Sequence, residues 1–373
     1  MLLLAPISKN KILFDNFGGR GYGDNPKFIA DEILRQGLGY DLVWMVNSHE
    51  EVRSLPPGIR AVKRGSLRLL RELATAKVWV DNIKNGIVSH KRKGQYYIQT
   101  WHGGGIPLKL VEQQVEGLLD RHYVVTNKRM SRQIDLILSE NDIISRRYRE
   151  AFWLPESCEI FEHGLPRNDI FFTSQATIAA KRKNYADERT CLLLYAPTFR
   201  DDGSTEGYRL NIRDLRETLE KKTRRPWKVI VRLHPNAMKD GALFTYDDYI
   251  IDGSQEADAQ TLTLISDMLI TDYSGLMYNF LLMQRPIFLF ATDLEHFQQH
   301  CRPLTPIYQQ LPFALCRSNH ELLNAIMTFD EESYYQRVQH FMQSRLLPFD
   351  DGHASEHVVG RIKAVVEGTF RKE

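Results

Sequence analysis

A histidine followed by three glycines closes a β-rich run in Thr100-Trp101-His102-Gly103-Gly104-Gly105-Ile106-Pro107-Leu108-Lys109. An imidazole takes up a proton near neutral pH, and glycines let backbone N–H groups approach an anion. Ligands of open parallel sheets sit outside the carboxyl ends of the strands, so the position suits chemistry; the plain alternative is a tight turn with a structural His. A second basic group lies in Val231-Arg232-Leu233-His234-Pro235, where alternation puts Arg232 and His234 on one side of a strand. Such a pair on a central strand is costly to bury unless an anion compensates it.

Three further clusters end β-like runs. His163-Gly164-Leu165-Pro166-Arg167-Asn168-Asp169 offers an Arg whose planar fork suits a phosphate, although a surface Arg in a turn is the common case. Tyr195-Ala196-Pro197-Thr198-Phe199-Arg200 brings a hydroxyl and an Arg to a strand terminus. Ile270-Thr271-Asp272-Tyr273-Ser274-Gly275 precedes an apolar helix over Leu276 to Met283, so exposed N–H groups and the helix dipole there suit a phosphate, while Ser274 also suits an N-cap. The glycines at 18, 19, 21 and 23 form either a ligand-contacting loop or a plain βα turn.

Other chemistries are excluded by what is missing. His-Gly-Gly-Gly in an esterase would require a G-x-S-x-G elbow, which the chain lacks. There is no G-x-x-x-x-G-K-[ST], and the glycines of 18–23 do not fit G-x-G-x-x-G. His296 with His300 and His353 with His357 have i, i+4 spacing but no H-E-x-x-H context, and no D-x-D motif is present, so catalysis without a bound metal or cofactor is expected.

The elements that must position these residues alternate. The pattern predicts strands over Lys11 to Phe17, Asp41 to Val46, Lys77 to Asp81, Tyr96 to Thr100 and His122 to Thr126. A second series follows at Cys191 to Ala196, Trp227 to Leu233, Met268 to Thr271 and Pro286 to Phe290. Pro26, after Asp24 and Asn25, starts a helix running to about Gln36, and Val358, Val359, Ile362, Val365 and Val366 make an amphipathic helix of Ala354 to Phe370. The class is α/β with parallel sheets. The charged, strand-poor stretch Thr173 to Arg189 is the boundary, giving domains at 1–172 and 173–350 and a terminal segment at 351–373.

Composition agrees with a folded chain of two domains: of 373 residues 43% are hydrophobic and 26% charged, which rules out a disordered or low-complexity protein. Lys and Arg number 49 against 47 Asp and Glu, so phosphate preference must come from local arrangement, and nucleic acid is not an expected partner. Cys158, Cys191, Cys301 and Cys316 lack C-x-x-C spacing, which fits a reducing cytoplasm. The N-terminal Met1-Leu2-Leu3-Leu4 run reads as neither signal peptide nor span, so any membrane role is expected to be peripheral.

Together the clusters resemble the CDP-glycerol glycerophosphotransferase family, which builds teichoic acid and related capsule or lipooligosaccharide polymers. The resemblance runs through Gly21-Tyr22-Gly23-Asp24-Asn25-Pro26-Lys27, Trp101-His102-Gly103, Gly164 to Asp169, Ala196 to Arg200, Arg232 to Pro235 and Thr271 to Ser274. It ends in Phe349-Asp350-Asp351-Gly352-His353-Ala354-Ser355-Glu356. It implies a GT-B fold, two Rossmann-like domains facing a cleft, with the acceptor on the first domain, CDP-alditol on the second and the last helix crossing back to the first.

It also implies a transferase that moves glycerol phosphate from CDP-glycerol to a hydroxyl of a lipid-linked or glycan acceptor, releasing CMP. CDP-ribitol, or a nucleotide sugar used by a GT-B glycosyltransferase, are the alternatives. His102 corresponds to the family's essential His; His102 and His234 are the catalytic candidates, and which is the base stays open. Arg167, Pro197, Thr198, Arg232, His234, Ser274 and Gly275 fall at donor contacts, and Trp101, Gly103, Gly104, Arg200, Asp272 and Asn279 complete the expected substrate-binding set. Many members read W-H-G-T-P-L-K where this chain is two residues longer, so a different acceptor loop is expected. Gly275 and Asn279 stand where a Ser and an Asp are common.

Overall fold

The computed structural model describes residues 5–84, 90–103, 117, 119–233, 243–254, 256 and 258–370. They fall into two compact units: unit 1 within 1–103, 110–172 and 348–373, and unit 2 within 173–347.

Unit 1 holds β1 (Ser8–Asp15), β2 (Asp41–Val46), β3 (Ile59–Lys63), β4 (Ala76–Asp81), β5 (Tyr96–Gln99), β6 (Leu136–Leu138) and β7 (Glu159–Phe161). They form one sheet in the order β3-β2-β1-β4-β5-β6-β7, with every pairing parallel. The strand order reverses between β1 and β4, which is where a doubly wound sheet opens a crevice at its carboxyl edge. Val and Ile side chains cover both faces, as a parallel sheet under crossover helices requires.

The helix Ala354–Glu367 belongs to this unit. Its Val358, Val359, Ile362 and Val365 are buried in one cluster with Ile12, Phe14, Val78 and Ile98. Burial of each such side chain stabilises by roughly 1.5–3 kcal/mol. Asp169 caps the helix, its carboxylate accepting from the N–H groups of Ala354 and Ser355 at 2.9 and 2.8 Å.

Unit 2 holds β8 (Cys191–Tyr195), β9 (Trp227–Val231), β10 (Ile250–Asp252), β11 (Met268–Thr271), β12 (Ile287–Phe290) and β13 (Ala314–Cys316). Their order is β10-β9-β8-β11-β12-β13, again all parallel, with the reversal between β8 and β11.

One expected strand is corrected. His122 to Thr126 lies in a helix, Arg121–Ser131, started by Asp120, whose side chain accepts from the Tyr123 N–H. The β-branched pair Val124-Val125 suggests a strand, but Val124 packs inward while Val125 is 60% exposed. The cap and the helical period prevail over propensity there. Four strands are absent from the sequence reading, β3, β6, β10 and β13, and three of them are only three residues long. Among the described residues no helix is long and apolar enough to cross a membrane.

Candidate active site

In unit 1, Trp101 and His102 follow β5 at the carboxyl edge of the sheet, and their polar groups are held from several sides. The Trp101 N–H donates to Gln99 Oε1 at 2.8 Å, and the Trp101 carbonyl accepts from Asn25 Nδ2 at 3.2 Å. The His102 carbonyl accepts from Arg167 Nη1 at 2.7 Å, and that nitrogen also pairs with Asp24 at 3.1 Å. Asn25 Oδ1 in turn accepts from the Arg167 N–H at 3.1 Å. Three clusters far apart in sequence, Asp24-Asn25, Trp101-His102 and Arg167, thus meet around one main-chain turn.

That turn is strained. Among the described residues seven non-glycine residues have positive φ, and Phe17 (45°), Asp24 (53°) and Trp101 (52°) lie at this site. Each such residue costs on the order of 1–3 kcal/mol and persists only where its surroundings over-determine it, a condition the bonds above supply. The His102 ring lies 5.1 Å from the Phe17 ring and 4.2 Å from the Trp101 ring, centroid to centroid. Its Nδ1 is 2.6 Å from the Asn82 carbonyl. Burial pushes the imidazole pKa down, with Arg167 adding to that and the Asn82 carbonyl and Asp24 opposing it. Among the described residues Nε2 has no hydrogen-bond partner, and a neutral imidazole with such a nitrogen is suited to accept a proton.

Behind this turn lie carboxyls that the sequence analysis passed over, Asp15, Asp81 and Glu140, and one that it quoted only within the terminal motif, Asp350. Asp15 ends β1 and its Oδ1 accepts from the Gly19 N–H at 2.7 Å; burial pushes its pKa up to about 6. Asp81 ends β4, receives the Tyr97 hydroxyl at 2.8 Å, and is pushed well above the carboxylate range by burial and by Asp15. Glu140, after β6, is pushed up to about 8 by burial and by Asp350, with Arg167 opposing. Asp350 receives the Leu165 N–H at 2.9 Å and Asn168 Nδ2 at 3.0 Å, tying the terminal segment to the loop that carries Arg167. Gly164 has φ +77°, and a Cβ there would lie 2.8 Å from the Asp350 Cα, so only glycine allows the approach. The signal for these residues was position alone, polar residues just beyond strand ends.

The loop of Gly18 to Gly23 is a turn in which several N–H donors are engaged. The N–H groups of Gly19 and Arg20 bond to the Asn16 carbonyl, and that of Gly21 to Glu51 Oε1 at 3.1 Å. Arg64 Nη1 donates to the Gly18 carbonyl at 3.2 Å.

In unit 2 the switch point carries Pro197, Thr198 and Arg200 after β8 and Asp272, Ser274 and Gly275 after β11. Arg200 corrects the sequence reading. It has no exposed surface, and its guanidinium pairs with Asp272 at 2.8 Å and with Asp293 at 2.7 Å, so it cannot meet a donor in this conformation. Asp272, 1% exposed, is likewise turned inward, its Oδ1 accepting from the Thr198 N–H at 2.8 Å. The guanidinium also donates to the Thr198 carbonyl and lies 5.1 Å from the Tyr273 ring. A Cβ on Gly207 would fall 2.1 Å from Arg200 Nη2, so glycine there admits the buried Arg. Buried charges persist only when paired in this way. Arg200 and Asp272 therefore position Thr198 instead of facing solvent. Asn279 is 3% exposed in the helix Leu276–Leu282.

Arg232 is half-buried at the end of β9. Its Nη1 donates to the carbonyls of Gly253 and Glu256 at 2.9 and 2.8 Å, and burial pushes its pKa down. The carboxylates of Glu256 and Asp258 lie near enough to oppose that shift. Ser274 Oγ accepts at 3.2 Å from the N–H of Leu276, the first residue of a seven-residue helix, Leu276–Leu282, whose N-cap position is taken by Gly275 and not by Ser274. Ser274 and Gly275 are half-buried, Pro197 is buried, and Thr198 is half-buried with its hydroxyl oxygen unbonded among the described residues.

Arg167 belongs to unit 1 with Trp101 and His102, whereas the other expected donor contacts belong to unit 2. Gly103 is half-buried; Gly104 and His234 lie outside the described residues. His296 Nε2 bonds Asp202 at 2.5 Å, His353 bonds Glu356 at 3.3 Å, and among the described residues no three His, Cys, Asp or Glu side chains gather as a metal site.

Two parallel, doubly wound sheets, each with polar residues at its switch point, define an α/β protein of the GT-B type. The family model described as CDP-glycerol:poly(glycerophosphate) glycerophosphotransferase matches residues 1–364, and the chain belongs to that family. It is similar to the teichoic acid poly(glycerol phosphate) polymerase of Staphylococcus epidermidis, 29% identical over 94% of this chain and 50% of the relative, so it spans about half of that protein. It is 28% identical to the teichoic acid glycerol-phosphate transferase of Staphylococcus aureus over 96% of this chain and 94% of the relative. Among solved structures, a variant of the wall teichoic acid polymerase TagF soaked with CDPG matches with a TM-score of 0.83 at 27% identity, over 98% of this chain and 91% of that one.

Proposed function

We propose that the protein transfers glycerol phosphate from CDP-glycerol to a hydroxyl of a lipid-linked or glycan acceptor in teichoic acid synthesis, releasing CMP. The observation that carries the mechanism is His102: an imidazole in a strained turn at a switch point, its Nδ1 held by the Asn82 carbonyl and its pKa pushed down by burial. In this reading the acceptor oxygen attacks the phosphorus bearing glycerol. The new P–O bond forms as the bond to the CMP oxygen breaks, and the acceptor proton passes to His102. Charge gathers on the departing CMP phosphate, where Arg232, His234 and the Thr198 and Ser274 hydroxyls of unit 2 are the groups proposed to receive it. Arg167 in this reading acts through His102 and Asp24 and not on the donor.

The acceptor is met at the inner face of the cytoplasmic membrane through peripheral contact. CMP release measured with CDP-glycerol and with CDP-ribitol, each with and without EDTA, tests the proposal. Turnover with CDP-glycerol in EDTA is the expected result. Release from CDP-ribitol alone would transfer the assignment to a ribitol enzyme, and release from neither would overturn it.

A further inference from the structure

A carbonyl oxygen only accepts hydrogen bonds. The 2.6 Å contact between His102 Nδ1 and the main-chain carbonyl of Asn82 therefore requires the proton on Nδ1 and, in the neutral ring, a lone pair on Nε2. Asn82 follows β4, one side of the switch point, and has no exposed surface. Its side chain is spent across that switch point. Oδ1 accepts from the Phe17 N–H at 2.8 Å, and Nδ2 donates to Asn16 Oδ1 at 2.8 Å, both residues lying just after β1. Asn16 in turn donates to the Arg20 carbonyl at 2.7 Å.

Two constraints on the imidazole therefore pass through one residue. The Asn82 carbonyl sets the ring's proton, and the Asn82 amide fixes Phe17, whose left-handed backbone brings its ring against the imidazole. An aliphatic residue at this place would leave the Phe17 N–H and the Asn16 Oδ1 without their partner, and the carbonyl without the amide that anchors its residue. We infer that Asn82 is a positioning residue for the transfer: it locks His102 in the Nδ1–H tautomer and presents Nε2 to the acceptor hydroxyl. This rests on the reading of His102 as the base, but the tautomer is a property of the folded chain and is measurable without turnover.

The experiment is nitrogen NMR of full-length protein with labelled histidine, together with the pH profile of CMP release from CDP-glycerol. Among the described residues, the charged groups facing His102 are Asp24 from the helix Asp24–Arg35 and Arg167 from the turn of Pro166–Phe172. Wild-type His102 is expected to give one protonated, pyrrole-like Nδ1 and one pyridine-like Nε2 above its pKa. Asn82→Ala should mix the tautomers and lower kcat by about tenfold or more with KM for CDP-glycerol within about threefold, the split expected when a transition-state interaction is lost.

Asn82→Asp keeps an acceptor for the Phe17 N–H and so covers the case in which the Ala variant fails to fold. Its added negative charge should retain the tautomer and move the acidic limb of the kcat profile to higher pH, since a nearby carboxylate favours the imidazolium. A wild-type Nε2–H tautomer would overturn the inference, as would an Ala variant with unchanged tautomer and kcat or an Asp profile that does not move. If His102→Ala retains turnover, the base reading falls alone, because the tautomer signals still decide the role of Asn82.

Discussion

The two switch points are built alike in topology and differently in chemistry. In unit 1 the loop after β5 is held through its main chain, by amide groups of Gln99 and Asn25 and one Arg167 nitrogen, and the strain sits in left-handed Phe17, Asp24 and Trp101. In unit 2 the loops after β8, β11 and β12 are drawn together by a single buried guanidinium between two carboxylates. Main-chain bonds fix the direction of a side chain, which a proton acceptor needs. A buried ion cluster fixes loops and leaves hydroxyls and N–H groups at their rims, which suits a site for phosphates.

The largest effect that sharpens this contrast is on stability. Arg200→Ala leaves Asp272 and Asp293 buried and uncompensated and should cost about 3–5 kcal/mol in denaturant unfolding. Arg167→Ala frees Asp24, whose side chain is 12% exposed, and one carbonyl, and should cost less, about 1.5–3 kcal/mol. Equal losses would erase the distinction between the two constructions.

Next comes pH. Glu140 titrates near 8 in the folded protein and near 4.5 when unfolded, so the native state binds the extra proton between these values. Stability should therefore be greatest at the acid end of that window and fall as pH rises through it, by up to about 1.4 kcal/mol per pH unit. Asp15, pushed to about 6, adds a fall of the same sign at lower pH. Glu140→Gln should flatten the fall; a variant whose unfolding free energy keeps the wild-type slope from pH 5 to 8 would show that the carboxyl is not held neutral. The smallest effect concerns the helix Ala354–Glu367: Asp169→Ala removes its cap and should cost about 1 kcal/mol, read from the shift in the denaturant midpoint, with little change in donor affinity.

Much of this was legible in the sequence, and the reasons for the rest are physical. The strands carrying His102, Thr198, Arg232 and Asp272 were readable because central parallel strands are continuous apolar runs. Three-residue edge strands such as β10 and β13 carry too little pattern to be read. Arg167 and Arg200 look the same in sequence, each an Arg just beyond a β-like run. What separates them is the partner: Arg200 meets Asp293, 93 residues away, under a glycine at 207, and Arg167 meets Asp24, 143 residues away. Asn82 carried no motif, since its work is done by a backbone carbonyl and by neighbours at the ends of other strands.

The central claim is that His102 accepts the acceptor's proton and does not bind the donor. Calorimetric titration of His102→Ala with CDP-glycerol, alongside CMP release at saturating donor, tests it most directly. The account predicts donor affinity within about threefold of wild type and turnover reduced by at least about a hundredfold, the lower range of general-base catalysis. Loss of donor binding with turnover preserved at saturation would contradict it and make His102 a donor ligand.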